Sequence, residues 1–293
     1  MKEFHSSELL ASTAPAVEFI VDGLLPAGSA GADISGPPGE GKSTIALSLC
    51  AAVSTGRPWF GLRTACAPAA WITGEASSRN ALARDLQRLN IPHDSDILFI
   101  APERELFRFE SDHWGTTDEG ERVLARLGEM NVGFVILDTI GSLVAGSREI
   151  DNDQQRQLAR HLRACLQGLT WLTVSHTNQS SAKDDLPWRL HYLSRAGGNG
   201  FPGALRWAAG VSALHDAEIE SLGLLAGRRY VALGGSKHNE MGRPVWTNRA
   251  PAIFEITETG ALVLVRDGRE TPKKEKAQKQ KGGHHEQCPN DWK

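Results

Sequence analysis

Short runs of consecutive apolar residues alternate along the chain with longer stretches whose apolar positions recur every third or fourth residue, the repeat of a helix with one buried face. The runs at 30–35, 69–75, 96–101, 132–146 and 169–178 predict buried strands, and those at 207–214 and 229–234 two more. Between them, 44–53, 77–89, 116–129 and 154–166 predict helices. The third of these opens with TTDEGE, in which Thr117 is positioned to cap and Glu121 to sit in the first turn. Segment 103–114 is mixed in character and expected as a surface insertion. Strands that alternate with helices predict an α/β fold, a mostly parallel sheet with helices on both faces. Ligands of such a sheet sit beyond the carboxyl ends of its strands.

Composition leaves this picture intact. The 293 residues, 40% of them apolar with aromatics and Cys counted, suffice for one large core. No apolar run reaches membrane-spanning length, and residues 1–13 lack the basic start and apolar stretch of a secretory leader, so a cytoplasmic location away from membranes is expected. Cys50, Cys66, Cys165 and Cys288 lie far apart without metal or redox spacing, and the first three are expected as buried thiols. The net charge of −3 divides unevenly: residues 269–293 carry seven Lys/Arg against four Asp/Glu, leaving the body at 25 against 31, a net −6. An acidic body argues against a broad basic surface for nucleic acid and leaves local contacts open. The tail is poor in apolar residues and expected to be disordered, and its His284, His285 and Cys288 fall short of the four ligands of a structural zinc site. The expected organisation is an N-terminal extension over 1–18, one domain over 19–268 and a basic tail over 269–293.

One stretch narrows the chemistry. Gly36, Pro37, Pro38, Gly39, Glu40, Gly41, Lys42 and Ser43 satisfy the G-x-x-x-x-G-K-[ST] pattern in full, with Thr44 opening the helix behind them. The glycines let successive amides turn inward on the β and γ phosphates of a nucleotide, and the helix adds its positive end. Lys42 reaches those phosphates as a point charge, and Ser43 offers a hydroxyl to magnesium, so ATP and Mg2+ are the expected ligands. A strand before the loop and a helix after it supply the context the pattern requires.

Three further residues end strands. Asp138 closes the most apolar run, where a carboxylate orients magnesium through water; the competing reading is an ordinary strand followed by a capping Asp. Glu75 closes ITGE, either as the carboxylate that polarises an attacking water or as a surface cap of the next helix. His176 closes VSHTN, either as a sensor of the γ-phosphate or as a polar strand end.

In this order the pieces FIVDGLLPAGSAGADISGPPGEGKS, ITGE, VILDT, VSHTN, GALRW and GGSKHNEMGRP resemble the RecA-like ATPases, and within them the plasmid replicative helicases of the RepA type, over residues 19–265. The resemblance implies that Lys42 and Ser43 hold phosphate and metal, that Glu75 is the catalytic glutamate, Asp138 the magnesium aspartate and His176 the strand-end histidine. It places the arginine supplied across a subunit boundary at Arg206, with Lys237 and Asn239 near the neighbour's nucleotide. DnaB-type hexameric helicases carry arginine two residues after that lysine; Asn239 stands there in this chain, which shifts the finger role to Arg206. From the residues alone, packing by the Arg206 stem and a polar loop at Lys237 remain open.

The resemblance further implies a homo-hexameric ring translocating on single-stranded DNA in plasmid, phage or mobile-element replication, with a replication initiator or other protein as a further partner. Segment 179–205 matches the loop facing the pore: Lys183, Arg189 and Arg195 are candidates for phosphate contacts, and Trp188 or Tyr192 for stacking on bases. Asp184 and Asp185 oppose that reading, and a lid or subunit contact explains the segment as well. The alternative function is an ATP-gated regulatory, recombination or defence-associated ATPase without unwinding activity.

Overall fold

The computed structural model describes residues 18–28, 31–75, 79–146, 151–177, 184–195, 199–238 and 245–269. A short antiparallel pair, β1 (Phe19–Val21) and β2 (Leu25–Pro26), leads into β3 (Ala32–Gly36), every residue of which is buried. α1 (Lys42–Thr55) starts directly behind the glycine-rich loop and buries residues on nearly all sides, among them Ile45, Leu49, Cys50 and Val53, so it is an interior helix with no solvent stripe. β4 (Ala69–Thr73), α2 (Arg79–Arg88) and β5 (Ile97–Ile100) follow at the positions the apolar runs predict.

Segment 103–114, expected as a surface insertion, is largely exposed and ordered. It folds into β6 (Phe107–Glu110) and β7 (His113–Thr116), a hairpin with Phe107 and Trp114 buried. The two anchor residues sit among charges, which hides them from a periodicity reading. α3 (Asp118–Glu129) begins as expected: Thr117 accepts a hydrogen bond from the Gly120 amide at 3.1 Å, and three acids fill the first turn, where the helix dipole favours them. β8 (Phe134–Asp138) ends the long apolar run earlier than predicted; a 3-10 turn (Ile140–Leu143) and β9 (Val144–Ala145) continue it, β9 pairing with β6. α4 (Asn152–Cys165) is capped by Asp151, which accepts from the Asp153 and Gln154 amides, and buries Gln155, Leu158, Ala159 and Leu162 along one stripe. β10 (Thr170–His176) completes the left half of the sheet.

Beyond it lie α5 (Leu186–Arg189), a 3-10 turn (Tyr192–Ser194), α6 (Gly200–Gly203), β11 (Trp207–Ala213), α7 (Asp216–Ser221) and β12 (Arg229–His238). Two further strands, β13 (Ala252–Ile256) and β14 (Leu262–Arg266), were not expected from the pattern; a turn closed by the Thr257 hydroxyl on the Ala261 amide joins them. The nine-stranded sheet runs β14-β13-β12-β11-β3-β10-β8-β4-β5. The six strands from β11 to β5 are parallel, and β12, β13 and β14 add an antiparallel wing. Successive residues of one strand serve opposite faces: Phe134 and Ile136 pack on the α1 side, Val135 and Leu137 on the side of α3 and α4. Of the cysteines, Cys50 is buried and Cys165 half-buried, while Cys66 is exposed, contrary to expectation, on the irregular segment between α1 and β4.

Candidate nucleotide site

β3 delivers the glycine-rich loop to the carboxyl edge of the parallel strands. Gly36 sits directly on β11: a Cβ there would lie 2.2 Å from the Val211 carbonyl oxygen, so only glycine lets the loop leave the sheet along this path. Gly41 has φ +89°, the left-handed region glycine occupies without strain, and it turns the chain into α1. Among the described residues nothing lies within 4 Å of the ideal Cβ position of Gly39, so they leave the crest of the loop open to a ligand. Lys42 is buried and its Nζ donates to the Pro37 carbonyl at 2.7 Å, holding the ammonium inside the loop. Burial pushes its pKa down, and Asp138, Glu40 and Glu75 pull it back up. A lysine ammonium held inside a glycine-rich loop at the start of a helix is a site for phosphate oxygens.

The strand ends meet around this lysine. In register, Asp138 of β8 stands between Thr73 of β4 and Val174 of β10, and His176 stands beside Gly36. Asp138 is 6% exposed; burial pushes its carboxyl up to about 6, with Glu75 adding to the rise and the Ser43 hydroxyl and Lys42 opposing it. The Ser43 hydroxyl is hydrogen-bonded to this carboxylate, whereas its Oδ1 is buried with no hydrogen-bond partner among the described residues. A buried carboxylate oxygen with an open lone pair beside a serine hydroxyl suits a hard divalent cation. Among the described residues no cluster of three or more His, Cys, Asp or Glu is arranged for a metal.

Glu75 is exposed two residues past the end of β4, and its amide donates to Thr73 Oγ1 at 3.2 Å. Gly74 before it is required by close packing rather than by flexibility: a Cβ would meet Ser142 Oγ at 2.5 Å and Ser142 O at 2.7 Å. The loops carrying Glu75 and Asp138 are thus locked together. The structure therefore gathers Gly36, Pro37, Pro38, Gly39, Glu40, Gly41, Lys42, Ser43, Thr44, Glu75, Asp138 and His176 at one edge of the sheet.

Arg206 and Lys237 lie at the opposite edge. The Arg206 amide donates to the Gly31 carbonyl, ahead of β3, and Lys237 pairs in register with Ala208 at the start of β11. Five residues of β3 separate them from the loop, roughly 16 Å at the rise of a strand. Lys237 Nζ donates to the Pro202 carbonyl at 3.1 Å and to that of Gly203. Arg163 of α4 joins them, donating to the Ala204 carbonyl at 2.6 Å, and burial, Arg206 and Arg163 together push the Lys237 pKa down. Arg163 had no signal in the sequence, because on α4 it reads as one more charge on a solvent face. Asn239 lies outside the described residues, as does Lys183.

Two expectations for segment 179–205 are corrected. Arg189 is 2% exposed and fully engaged: Nε to Ser212 Oγ at 2.8 Å, a two-pronged pair with Glu218 at 3.1 and 2.8 Å, and the Asp184 and Ala213 carbonyls. Arg195, 5% exposed, pairs with buried Asp33 at 3.5 Å and lies over the Phe201 ring at 4.6 Å. Both arginines pin this segment to the body, since a buried guanidinium is tolerated only with partners of this kind, and neither is presented to a phosphate backbone. Trp188 is the exposed member of a stack, parallel to His191 at 5.3 Å, which in turn stacks on Tyr192 at 4.8 Å.

The sequence profile of a family described as AAA domain matches residues 3–182. No curated protein matches the chain. Among solved structures, a KaiC-like protein from the hyperthermophilic archaeon Pyrococcus horikoshii is similar with a TM-score of 0.54 at 16% identity, over 84% of this chain and 93% of that one. The flagellar accessory protein FlaH from Methanocaldococcus jannaschii is similar with a TM-score of 0.50 at 10% identity, over 81% and 90%. At these identities the likeness is one of fold. No helix among the described residues is long and apolar enough to cross a membrane. With its profile match spanning more than half of the sequence and a complete phosphate-binding loop at the edge of a RecA-like sheet, the chain belongs to the AAA domain family of P-loop ATPases.

Proposed function

We propose that the chain is a magnesium-dependent ATP hydrolase whose site is completed by a neighbouring copy of itself, and that it works as an ATP-gated switch on a partner rather than as a strand-separating motor. The observation that carries the shared site is the separation of its two cationic groups. Lys42 faces the carboxyl edge of the sheet, while Arg163, Arg206 and Lys237 gather at the amino edge and cannot serve the nucleotide of their own chain. Head-to-tail packing, which closes into a ring when the rotation allows, brings the amino edge of one copy to the loop of the next. A hexamer is the ring size that the resemblance to RepA-type proteins suggests.

In this reading the loop amides and Lys42 bind the β and γ phosphates of ATP, and Ser43 and Asp138 hold magnesium, which neutralises charge on the phosphate oxygens. Glu75 orients the attacking water in line with the γ-phosphorus and accepts its proton as the bond to the β–γ bridging oxygen breaks and ADP leaves, giving inorganic phosphate. His176, beside Gly36, contacts the γ-phosphate and reports its loss. Arg206, with Lys237 and Arg163, offsets charge that develops on the transferred group, an effect worth about 10³–10⁵ in rate where an arginine finger acts.

The burial of Arg189 and Arg195 favours the switch over the RepA-type motor, because the segment expected to grip DNA keeps few charges for it. The motor reading retains one supporting observation, the exposed Trp188 at the end of a ring stack, a surface on which a base can stack. ATP turnover against protein concentration, with and without single-stranded DNA and with mass followed by light scattering, tests both. Turnover per chain should rise as assemblies form and stay indifferent to DNA. Full turnover by a monomer would overturn the shared site, and strong DNA stimulation with unwinding of forked duplexes would overturn the switch in favour of the motor.

A further inference from the structure

The phosphate-binding loop is fastened to the end of β11 at a point that also holds segment 184–195. Glu40, at the fifth position of the loop, accepts a hydrogen bond from the Ala213 amide at 2.8 Å through Oε2. Gly36 rests on the carbonyl of Val211, and a Cβ built at Gly41 would lie 3.5 Å from Val231 Cγ1 of β12. On the same short stretch of β11, Arg189 takes Ser212 Oγ through Nε and the Ala213 carbonyl through a terminal nitrogen at 3.1 Å. The Ala213 residue is therefore gripped on its N–H by the loop and on its C=O by Arg189. Arg189 also donates to the Asp184 carbonyl at 2.9 Å, so its grip extends across the whole of α5 to the residue preceding the Asp185 cap.

We propose that Glu40 is a positioning residue that couples the nucleotide state of the loop to segment 184–195 through the Ala213 peptide and Arg189. The inference rests on the reading that the loop binds ATP. Polyphosphate entering the loop draws Lys42 Nζ off the Pro37 carbonyl and so rearranges the loop crest that carries Glu40. The response of Glu40 is transmitted to Ala213, because their bond is the tie between the crest of the loop and the strand. Arg189, with all its donors committed to the strand end, to Glu218 and to Asp184, carries a shift of Ala213 into α5 as a unit. Trp188, the exposed ring of the stack, stands on that helix, so an exposed aromatic surface moves with the nucleotide.

The test is hydrogen–deuterium exchange of the full chain, with and without saturating AMP-PNP and magnesium, in wild type, Glu40→Ala and Glu40→Gln. Saturation is verified for each by titration with a fluorescent ATP analogue, and folding by thermal unfolding. Gln keeps an oxygen acceptor for the Ala213 amide and removes the charge; Ala removes both. Nucleotide should alter exchange across 184–195 in wild type and in Glu40→Gln, and the effect should fall about tenfold in Glu40→Ala, within the range typical of coupling between two sites. An undiminished effect in Glu40→Ala, or a loss in Glu40→Gln equal to that in Glu40→Ala, would overturn the tether. Wild type that binds nucleotide with no change at 184–195 would overturn the coupling alone. Wild type that binds no nucleotide would overturn the reading beneath it.

Discussion

Asp138→Asn separates the stability of the fold from the magnesium-holding role proposed for Asp138. In the metal-free protein the carboxyl is raised from 3.8 to about 6, chiefly by burial. A folded-state value above the unfolded one means that the stability tied to this group is fully present below pH ~4 and is lost as pH rises through about 6. Above that, the ionised carboxylate costs the fold about 3 kcal/mol. Asn keeps the shape and never ionises. Urea unfolding in the presence of a chelator should therefore find Asp138→Asn more stable than wild type by up to about 3 kcal/mol at pH ~8, and by about half that at pH ~5. Magnesium and ATP added together should reverse the order, since only wild type gains from the metal, and the variant should lose most of its hydrolysis. A variant that is less stable than wild type at the higher pH, or whose gain ignores pH, would refute the view that a buried, unsatisfied carboxylate waits there for a cation.

Lys42→Ala should weaken nucleotide binding and turnover together, whereas Glu75→Gln should bind ATP normally in a filter or fluorescence assay and lose most turnover; a fully active Glu75→Gln protein would remove Glu75 from the role of water-positioning base. Arg206→Ala chains mixed with Lys42→Ala chains should regain part of the lost activity at junctions where an intact loop meets an intact Arg206, and verified mixed assemblies without recovery would take Arg206 out of the shared site. Asp33→Ala leaves the Arg195 guanidinium buried without its carboxylate, a loss of about 3–5 kcal/mol in urea unfolding. A loss below about 1 kcal/mol, the scale of surface pairs, would mean that water reaches Arg195.

The loop from Gly36 to Ser43 was legible because its chemistry lies in consecutive residues at fixed spacing, and Asp138 because it ends an apolar run. Strands β3, β4, β5, β8, β10 and β11 announced themselves the same way, as did the Thr117 cap. What escaped reading depends on partners distant in sequence. Arg189 and Arg195 looked like solvent-facing cations in a polar segment; their partners Glu218 and Asp33 lie 29 and 162 residues away, and no local pattern links them. Nothing local marks why position 74 is glycine: the cause is Ser142, on the turn after a neighbouring strand. The β6–β7 hairpin hides two anchors among charges, and β14 alternates as an edge strand with three of its five residues exposed, which thins its apolar signal.

The position of β3 within the sheet has a consequence for what counts as a minimal unit of this protein. Sequence similarity to the family stops at residue 182, whereas β11, which pairs with β3 and floors the loop, begins at Trp207. A fragment cut at the similarity boundary would keep every signature residue from Gly36 to His176 and would turn β3 from an interior strand into an open edge, its amides and carbonyls bare along one side. Open edges of that kind recruit other chains. Such a fragment should collect as aggregate under conditions in which the chain of residues 1–293 does not. Inheritance of the motif and independence of the fold thus have different borders in this chain, and the second lies at the antiparallel wing.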